Sequence, residues 1–596
     1  MIKERISQLR KYMEERNMDA YIIPTSDFHE TEYAGEYFKA RKYMSGFSGS
    51  AGTFVVAKDK AALWTDGRYF IQAEAQLKDT GIELMKMGEP NVPTMNQYIN
   101  EVIGVHGLLG FDGRVINARL GRQLSKIMNL KEGTISCDED LVDLIWVDRP
   151  PLPKEKAFLF DEKYCGKSAK EKLVELRAAM KQRNCDTHII NTLDDIAWLF
   201  NLRGHDIACF PVVLAYAMIT EDNATIYLDQ SKLDETIRNA FNEIKVTIKD
   251  YNEFYEDVKK IDETHRILAD TNMINYAIYN NIQHKDKLCD QENPTQLMKA
   301  CKNKIEIEND IQAHIKDGVA VTKFMYWLKT NVGKITISEM SAADKLLSLR
   351  KAQSDFIEPS FDTIAAYKEH AAMMHYSAKK ESNVELKKEG MLLVDSGGQY
   401  LQGTTDITRT FALGEVDDEL KLHFTTVLRS LINLAKATFL SGIRGTSLDI
   451  LARGPLWDLG IDYRCGTGHG IGFLLNVHEA PNGFRWRVVA DRNDSCVLQE
   501  GMITTDEPGV YIEGSHGIRS ENELVVRDKE TNEYGQFLQF ETITYVPFDL
   551  DAIDPSLMNQ AEIDWLNAYH KTVFKIISPY LDKEEVIWLK QYTRAI

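Results

Sequence analysis

The chain has 596 residues, 44% of them hydrophobic and 27% charged; this is the balance of a folded globular protein, and the length exceeds one hydrophobic core, so roughly two to four domains are expected. Lys and Arg total 71 against 90 Asp and Glu, a net charge of −19. That surplus, with no Lys/Arg-rich run, argues against a partner such as a nucleic-acid backbone.

The first segment, MIKERISQLRKYMEER, sets Ile6, Leu9 and Met13 at helical spacing among charges. It predicts an amphipathic helix of the folded protein and not a secretory signal. The run Asn17–Pro24 then reads as a strand. The same succession returns further on, with a helical pattern over 169–183 and a strand-like run at Asn184–Asn191 that shares Asn, Asp and two Ile in register with the first. Arg41–Val56 leads to the strand-like Ala61–Thr65, just as Ile196–Gly204 leads to Thr225–Leu228. Shared order and shared residues favour a duplicated α/β domain over two unrelated segments.

Asp148–Pro153, rich in proline, marks a linker between the copies. The longest uncharged apolar run, Cys209–Ile219, is broken by Pro211 and falls well short of the ~20 residues a spanning helix needs, so no membrane segment is expected. Past Asn293-Pro294, Ile307, Ile311, Ile315 and Val319 recur along one helical face and open a third region. The expected domains are therefore 1–152, 153–300 and 301–596. Eight scattered cysteines without a C-x-x-C pair point to a reducing, cytoplasmic compartment.

The third region carries the chemistry. Gly390–Gly398 reads as a buried strand delivering Asp395 to a turn, and Thr404–Phe411 as a second strand carrying Asp406. A connection this short implies an antiparallel hairpin with strands ~4.8 Å apart. Two carboxylates that close repel by about 4 kcal/mol at an effective dielectric near 20, so a positive group belongs between them. His469 lies between glycines in GTGHGIG, where little packing would satisfy a core histidine. Glu507 stands at the lip of the TDEPG turn, and Glu521 lies on a strand expected over 517–526. Singly, each acid has a plain alternative as a capping or solvated residue. Together, Asp395, Asp406, Glu507 and Glu521 carry four negative charges that two divalent cations balance, with His469 as the nitrogen ligand. An oxygen-rich, thiolate-free set suits Mn²⁺ and tolerates Co²⁺, Fe²⁺ or Zn²⁺.

The ordered motifs VDSGGQY, GTTDITRTF, GTGHGIG, NVHE, TDEPGVY and GIRSENELVV resemble the pita-bread-fold metallopeptidases, and most closely the three-domain Xaa-Pro aminopeptidases (aminopeptidase P). YMSGFSGSAGTFVV, ALWTDGRYFIQAE and IAWLFNLRG extend the resemblance over the whole chain. It implies an α/β and α+β multidomain fold: two creatinase-N-like α/β domains, then a C-terminal pita-bread catalytic domain. It further implies hydrolysis of the N-terminal Xaa-Pro bond of a peptide by a water or hydroxide bridging two metals. Asp395 would bind one metal, Asp406 and Glu521 bridge, and His469 and Glu507 hold the second, Glu507 also carrying the proton. His375 and His478 would surround the scissile carbonyl, and Arg519 would orient a carboxylate or the substrate. A buried core position is the plain alternative for His375. A homodimer is the family expectation, with Trp565, Tyr569 and Trp588 as interface or, equally, core.

The chain departs from the family pattern at Cys465, where a pocket-lining histidine is usual, and at Ala366–His370, which is bulkier than the expected glycine-rich loop. Phe361 is a candidate pocket residue. A prolidase confined to dipeptides and a non-catalytic binding module are the competing readings. The second creatinase-like domain argues against the first, and the intact ligand set against the other.

Overall fold

The N-terminal periodicity forms helix α1 (Ile2–Glu15), which buries Ile6, Leu9 and Met13 among Tyr21, Phe54 and Leu63. This computed structural model describes residues 1–489 and 493–596. Six strands follow α1: β1 (Ala20–Pro24), β2 (Thr53–Ala57), β3 (Ala61–Thr65), β4 (Glu83–Lys86), β5 (Leu108–Phe111) and β6 (Thr134–Ser136), in the order β4-β3-β2-β1-β5-β6. Only β2 runs against its neighbours.

The second copy repeats this plan. Helix α2 (Ala169–Gln182) starts on a Ser168/Glu171 capping box and is followed by β7 (Thr187–Ile190), β8 (Ala215–Thr220), β9 (Ala224–Leu228), β10 (Val246–Asp250), β11 (Ile267–Ala269) and β12 (Leu288–Asp290), in the order β10-β9-β8-β7-β11-β12. Again one strand, β8, opposes both neighbours. Asn17 and Asn184, the shared residues that leave α1 and α2, are both left-handed, at φ 56° and 55°, a conformation asparagine tolerates at a helix end. The duplication visible in the sequence is therefore a duplication of topology. The copies knit together at matching points: Ala118 donates to the Ile274 carbonyl at 2.8 Å and Tyr276 to that of Ile116 at 2.7 Å. They make one compact unit, Met1–Phe160 with Ser168–Thr295; the other comprises Asp161–Lys167 and Gln296–Ile596.

The second unit is organised by α3 (Lys304–Asn331), capped by Asn303 and Glu306. A three-stranded antiparallel sheet consists of β13 (Ile364–Tyr367), β14 (Met391–Ser396) and β15 (Ile407–Ala412), with β14 in the centre. A six-stranded sheet includes β16 (Gly468–Gly470), β17 (Glu479–Phe484), β18 (Ile503–Asp506), β21 (Asn522–Asn532) and β22 (Gly535–Thr542). A two-stranded ribbon, β19 (Gly509–Ile512) with β20 (His516–Arg519), lies between β18 and β21 in the chain. Helices α4 (Asp418–Ala435) and α6 (Gln560–Ile577) share a core in which Phe424, Val427 and Leu431 meet Leu566, Val573 and Ile577. Tyr569 is buried with Trp565 stacked on it at 5.2 Å, and Trp588 stacks on Tyr592 at 4.4 Å; both tryptophans are half-buried against the core. One expectation is corrected: the strand expected over 517–526 is two, and Glu521 sits in the break between β20 and β21. Glu521 is buried there at 1% exposure.

Candidate metal centre

The Asp395–Asp406 hairpin forms as its short connection requires: β14 pairs antiparallel with β15, Asp395 opposite Thr408. Asp406 lies one residue before β15, buried at 5% exposure. Gly397 lets the two arms of the connection pass closely, since a Cβ there would stand 1.8 Å from the Thr405 carbonyl oxygen. Across the larger sheet β16 lies between β17 and β18, and a Cβ on Gly468 would strike the Thr505 carbonyl oxygen at 1.8 Å. Glycine there lets His469 come in beside Glu507, whose N–H donates to Thr467 at 2.7 Å.

The side chains converge. His469 Nε2 lies 3.5 Å from both Asp406 Oδ2 and Glu507 Oε1. Asp406, His469 and Glu521 each offer one ligand atom, all within 4.8 Å of one another. Arg519 joins Asp395 to the group: Nη2 donates to Asp395 Oδ2, and Nε lies 4.0 Å from Glu507 Oε2. The hydroxyl of Thr408 donates to Glu521 Oε2 at 2.8 Å and accepts from Arg519 Nε at 3.1 Å.

Two observations test whether this set fits a metal. His469 Nδ1 is 3.0 Å from the Gly470 carbonyl oxygen, which only accepts, so Nδ1 carries a hydrogen and Nε2 is the nitrogen left to serve as a metal ligand among the carboxylate oxygens. Asp395 Oδ1 is buried with no hydrogen-bond partner among the described residues. Carboxylates this close need protons or a cation between them, and the donor set of oxygens and one imidazole nitrogen fits a hard or borderline divalent ion.

The electrostatics agree. Burial, then repulsion from Glu521, Asp395 and Glu507, pushes Asp406 well above the usual carboxylate range. Burial, then Glu507 and Asp395, does the same to Glu521. Burial lifts Glu507 to about 7, with Arg519 opposing and Asp395 adding to the rise. Protons or cations must therefore accompany the cluster.

The other expected residues divide. The ring of His478 stands 4.3 Å from that of His469, edge to face. Cys465 is held as a neutral thiol, pushed up to about 12 by burial and by Glu507, and its carbonyl accepts from Arg453 at 3.1 Å. Phe361 is half-buried beside Ser360, whose hydroxyl donates to the Thr405 carbonyl at 2.8 Å. His375 is exposed on a turn, so the core reading of it fails. Tyr511 was not anticipated: its hydroxyl accepts from Arg519 Nη1 at 2.6 Å. The ribbon register explains this, since Arg519 pairs with Gly509 and so lies diagonal to Tyr511 on the same face.

The chain matches the family model Creatinase/Prolidase N-terminal domain twice, over 5–144 and 148–306. It matches Metallopeptidase family M24 over 311–528 and the C-terminal region of peptidase M24 over 536–596. Fold and site together thus define an M24 metallopeptidase, a hydrolase with two creatinase-N domains ahead of a pita-bread domain. It is 38% identical over 608 residues to a "Probable Xaa-Pro aminopeptidase P" of Pyrenophora teres f. teres, covering 99% of this chain and 92% of that protein. It is 36% identical over 648 residues to "Aminopeptidase P1" of Arabidopsis thaliana, covering 100% and 99%. The crystal structure of an X-prolyl aminopeptidase from Caenorhabditis elegans, described as a cytosolic enzyme with a di-nuclear active site, superposes with TM-score 0.94 at 34% identity over 100% of both chains. The chain belongs to the Xaa-Pro aminopeptidase P family.

Proposed function

We propose that this chain removes the N-terminal residue from peptides whose second residue is proline, using two divalent ions held by Asp395, Asp406, His469, Glu507 and Glu521. The observation that carries this reading is the convergence of His469 Nε2 on Asp406 and Glu507 at 3.5 Å, within a family of Xaa-Pro aminopeptidases. Mn²⁺ is the preferred ion on the chemistry of four carboxylates and one imidazole. Asp395 would hold one ion, His469 and Glu507 the other, and Asp406 and Glu521 would be shared between them.

Ions held there would supply a water made nucleophilic at neutral pH and a Lewis acid for the scissile carbonyl. The chain's residues do the rest. Glu507 accepts a proton from the attacking water and delivers it to the proline nitrogen as the C–N bond breaks. That nitrogen has no hydrogen of its own in the substrate, so the delivered proton makes the secondary amine of the product. His478, beside His469, and His375 donate to the carbonyl oxygen as it gains charge. Arg519, bound to Asp395 and Tyr511, fixes the Asp395 carboxylate. Cys465 and Phe361 line the pocket.

We place the protein in the cytoplasm, on its scattered cysteines without a C-x-x-C pair and its similarity to an X-prolyl aminopeptidase described as cytosolic; no described helix is long and apolar enough to cross a membrane. A homodimer is supported by apolar residues on one side of α5 (Gly445–Trp457) and its exit, where Ile450, Trp457 and Leu459 are 48%, 44% and 41% exposed.

Release of the first residue from Arg-Pro-Pro, Arg-Pro and Arg-Ala-Pro separates the readings. The expected result is cleavage of Arg-Pro-Pro, with Arg-Ala-Pro left intact. Cleavage confined to Arg-Pro would make the protein a prolidase.

A further inference from the structure

Behind the five-residue cluster, on the α3 side, lies a second group of ionisable side chains for which the reaction has no use. Asp310, His314 and Glu523 offer ligand-type atoms within 4.8 Å of one another, and none is more than 3% exposed. Asp310 and His314 are one turn apart on α3 and so share a face. Glu523 is on β21, two residues beyond Glu521.

Glu523 makes the connection. Its Oε1 accepts from the backbone N–H of Asp406 at 2.8 Å and lies 3.0 Å from His314 Nε2. The other ring nitrogen, Nδ1, is 2.8 Å from the Asp310 carbonyl oxygen. A carbonyl only accepts, so Nδ1 bears a hydrogen; a second hydrogen, on Nε2, would make the ring an imidazolium facing Glu523. Burial works against that charge, but Glu523 and Asp310 lift His314 to about 10. On the same helix Asp310 presses on Gly403, where a Cβ would meet its Oδ1 at 1.9 Å, and the loop that starts there leads into Asp406.

We propose that the His314–Glu523 pair is a positioning element: it holds the Asp406 backbone so that the Asp406 carboxylate meets the metal in the right place. This rests on Asp406 being a metal ligand, as proposed above. The Asp406 N–H is buried, and without Glu523 it would lose its acceptor, at a cost that favours loop rearrangement. The loop needs an acceptor oxygen at that place, and Glu523 supplies it as a carboxylate. Left alone, its charge would add to a cluster that already repels itself, and the imidazolium cancels it.

The test is the affinity of the stripped protein for Mn²⁺, read by calorimetry and not by activity. Glu523→Met fills the same space without an acceptor, and is expected to weaken binding 10–100-fold, as outer partners of metal ligands typically do. Glu523→Gln keeps an oxygen for the Asp406 N–H and offers an amide hydrogen to a neutral His314, so its affinity is expected within about 3-fold of the parent. Melting of each stripped variant identifies a Met variant that has merely failed to fold; the Gln variant then decides, and a 10-fold loss in it would overturn the proposal. Undiminished binding by a folded Met variant would overturn it as well. So would a third equivalent of Mn²⁺ in the parent protein that Asp310→Asn abolishes, since the group would then be a metal site in its own right. A parent protein that binds no Mn²⁺ would instead refute the reading of the main centre.

Discussion

Glu507→Gln is expected to lower kcat on Arg-Pro-Pro by about 10³-fold or more, with KM changed far less. The substitution leaves an oxygen at the same place but removes the group that takes a proton from water and returns it to the leaving nitrogen, a contribution generally worth 10²–10⁴-fold. Loss of one charge from the ligand set adds to the effect. Assays at saturating Mn²⁺, with bound metal measured in the same samples, separate lost proton transfer from lost metal. A metal-loaded variant within 10-fold of the parent would remove Glu507 from the proton path.

Metal removal is expected to cost stability as well as activity, and to cost more as pH rises. In the stripped protein Glu507 has a folded pKa of about 7 against an ordinary 4.5, and Asp406 and Glu521 are shifted the same way. A carboxyl raised on folding contributes stability that is fully present below its unfolded pKa and is lost as pH climbs through the folded one. The stripped protein should therefore weaken from about pH 4.5 to 7. Divalent ions displace those protons, so loading is favoured over the same interval. With free metal a thousand-fold above Kd, each site adds about 4 kcal/mol, enough for a melting difference on the order of 10 °C in a unit of this size. Differential melting of stripped and loaded protein at pH 5, 6, 7 and 8 should show the gap widening. A gap that is constant or shrinks would mean that the carboxyls are not the groups the metal neutralises.

Legibility of this molecule in its sequence followed the range of the interactions. α1, with Ile6, Leu9 and Met13 at helical spacing, depends only on local periodicity, and it forms as expected. The duplicated domains were visible because Asn17 and Asn184 mark the same left-handed exit from the same helix. Asp395 and Asp406 were placed together by a connection too short for anything but a hairpin. Beyond that reach the pattern thinned. Nothing local distinguishes a continuous strand from one broken at Glu521, since Ser520 is a neutral residue in either. Tyr511 became visible only once the β19–β20 register set it diagonal to Arg519. Glu523 meets His314 across most of the catalytic unit, a juxtaposition that only tertiary packing creates. His375 went the other way: its apolar neighbours Met374 and Tyr376 suggested a core position, yet the residue is exposed.

The most direct measurement titrates Mn²⁺ into the stripped protein while following release of arginine from Arg-Pro-Pro. The account predicts no turnover without metal, and full turnover once two equivalents per chain are bound. Turnover that survives complete stripping, or two bound equivalents with no turnover, would contradict it.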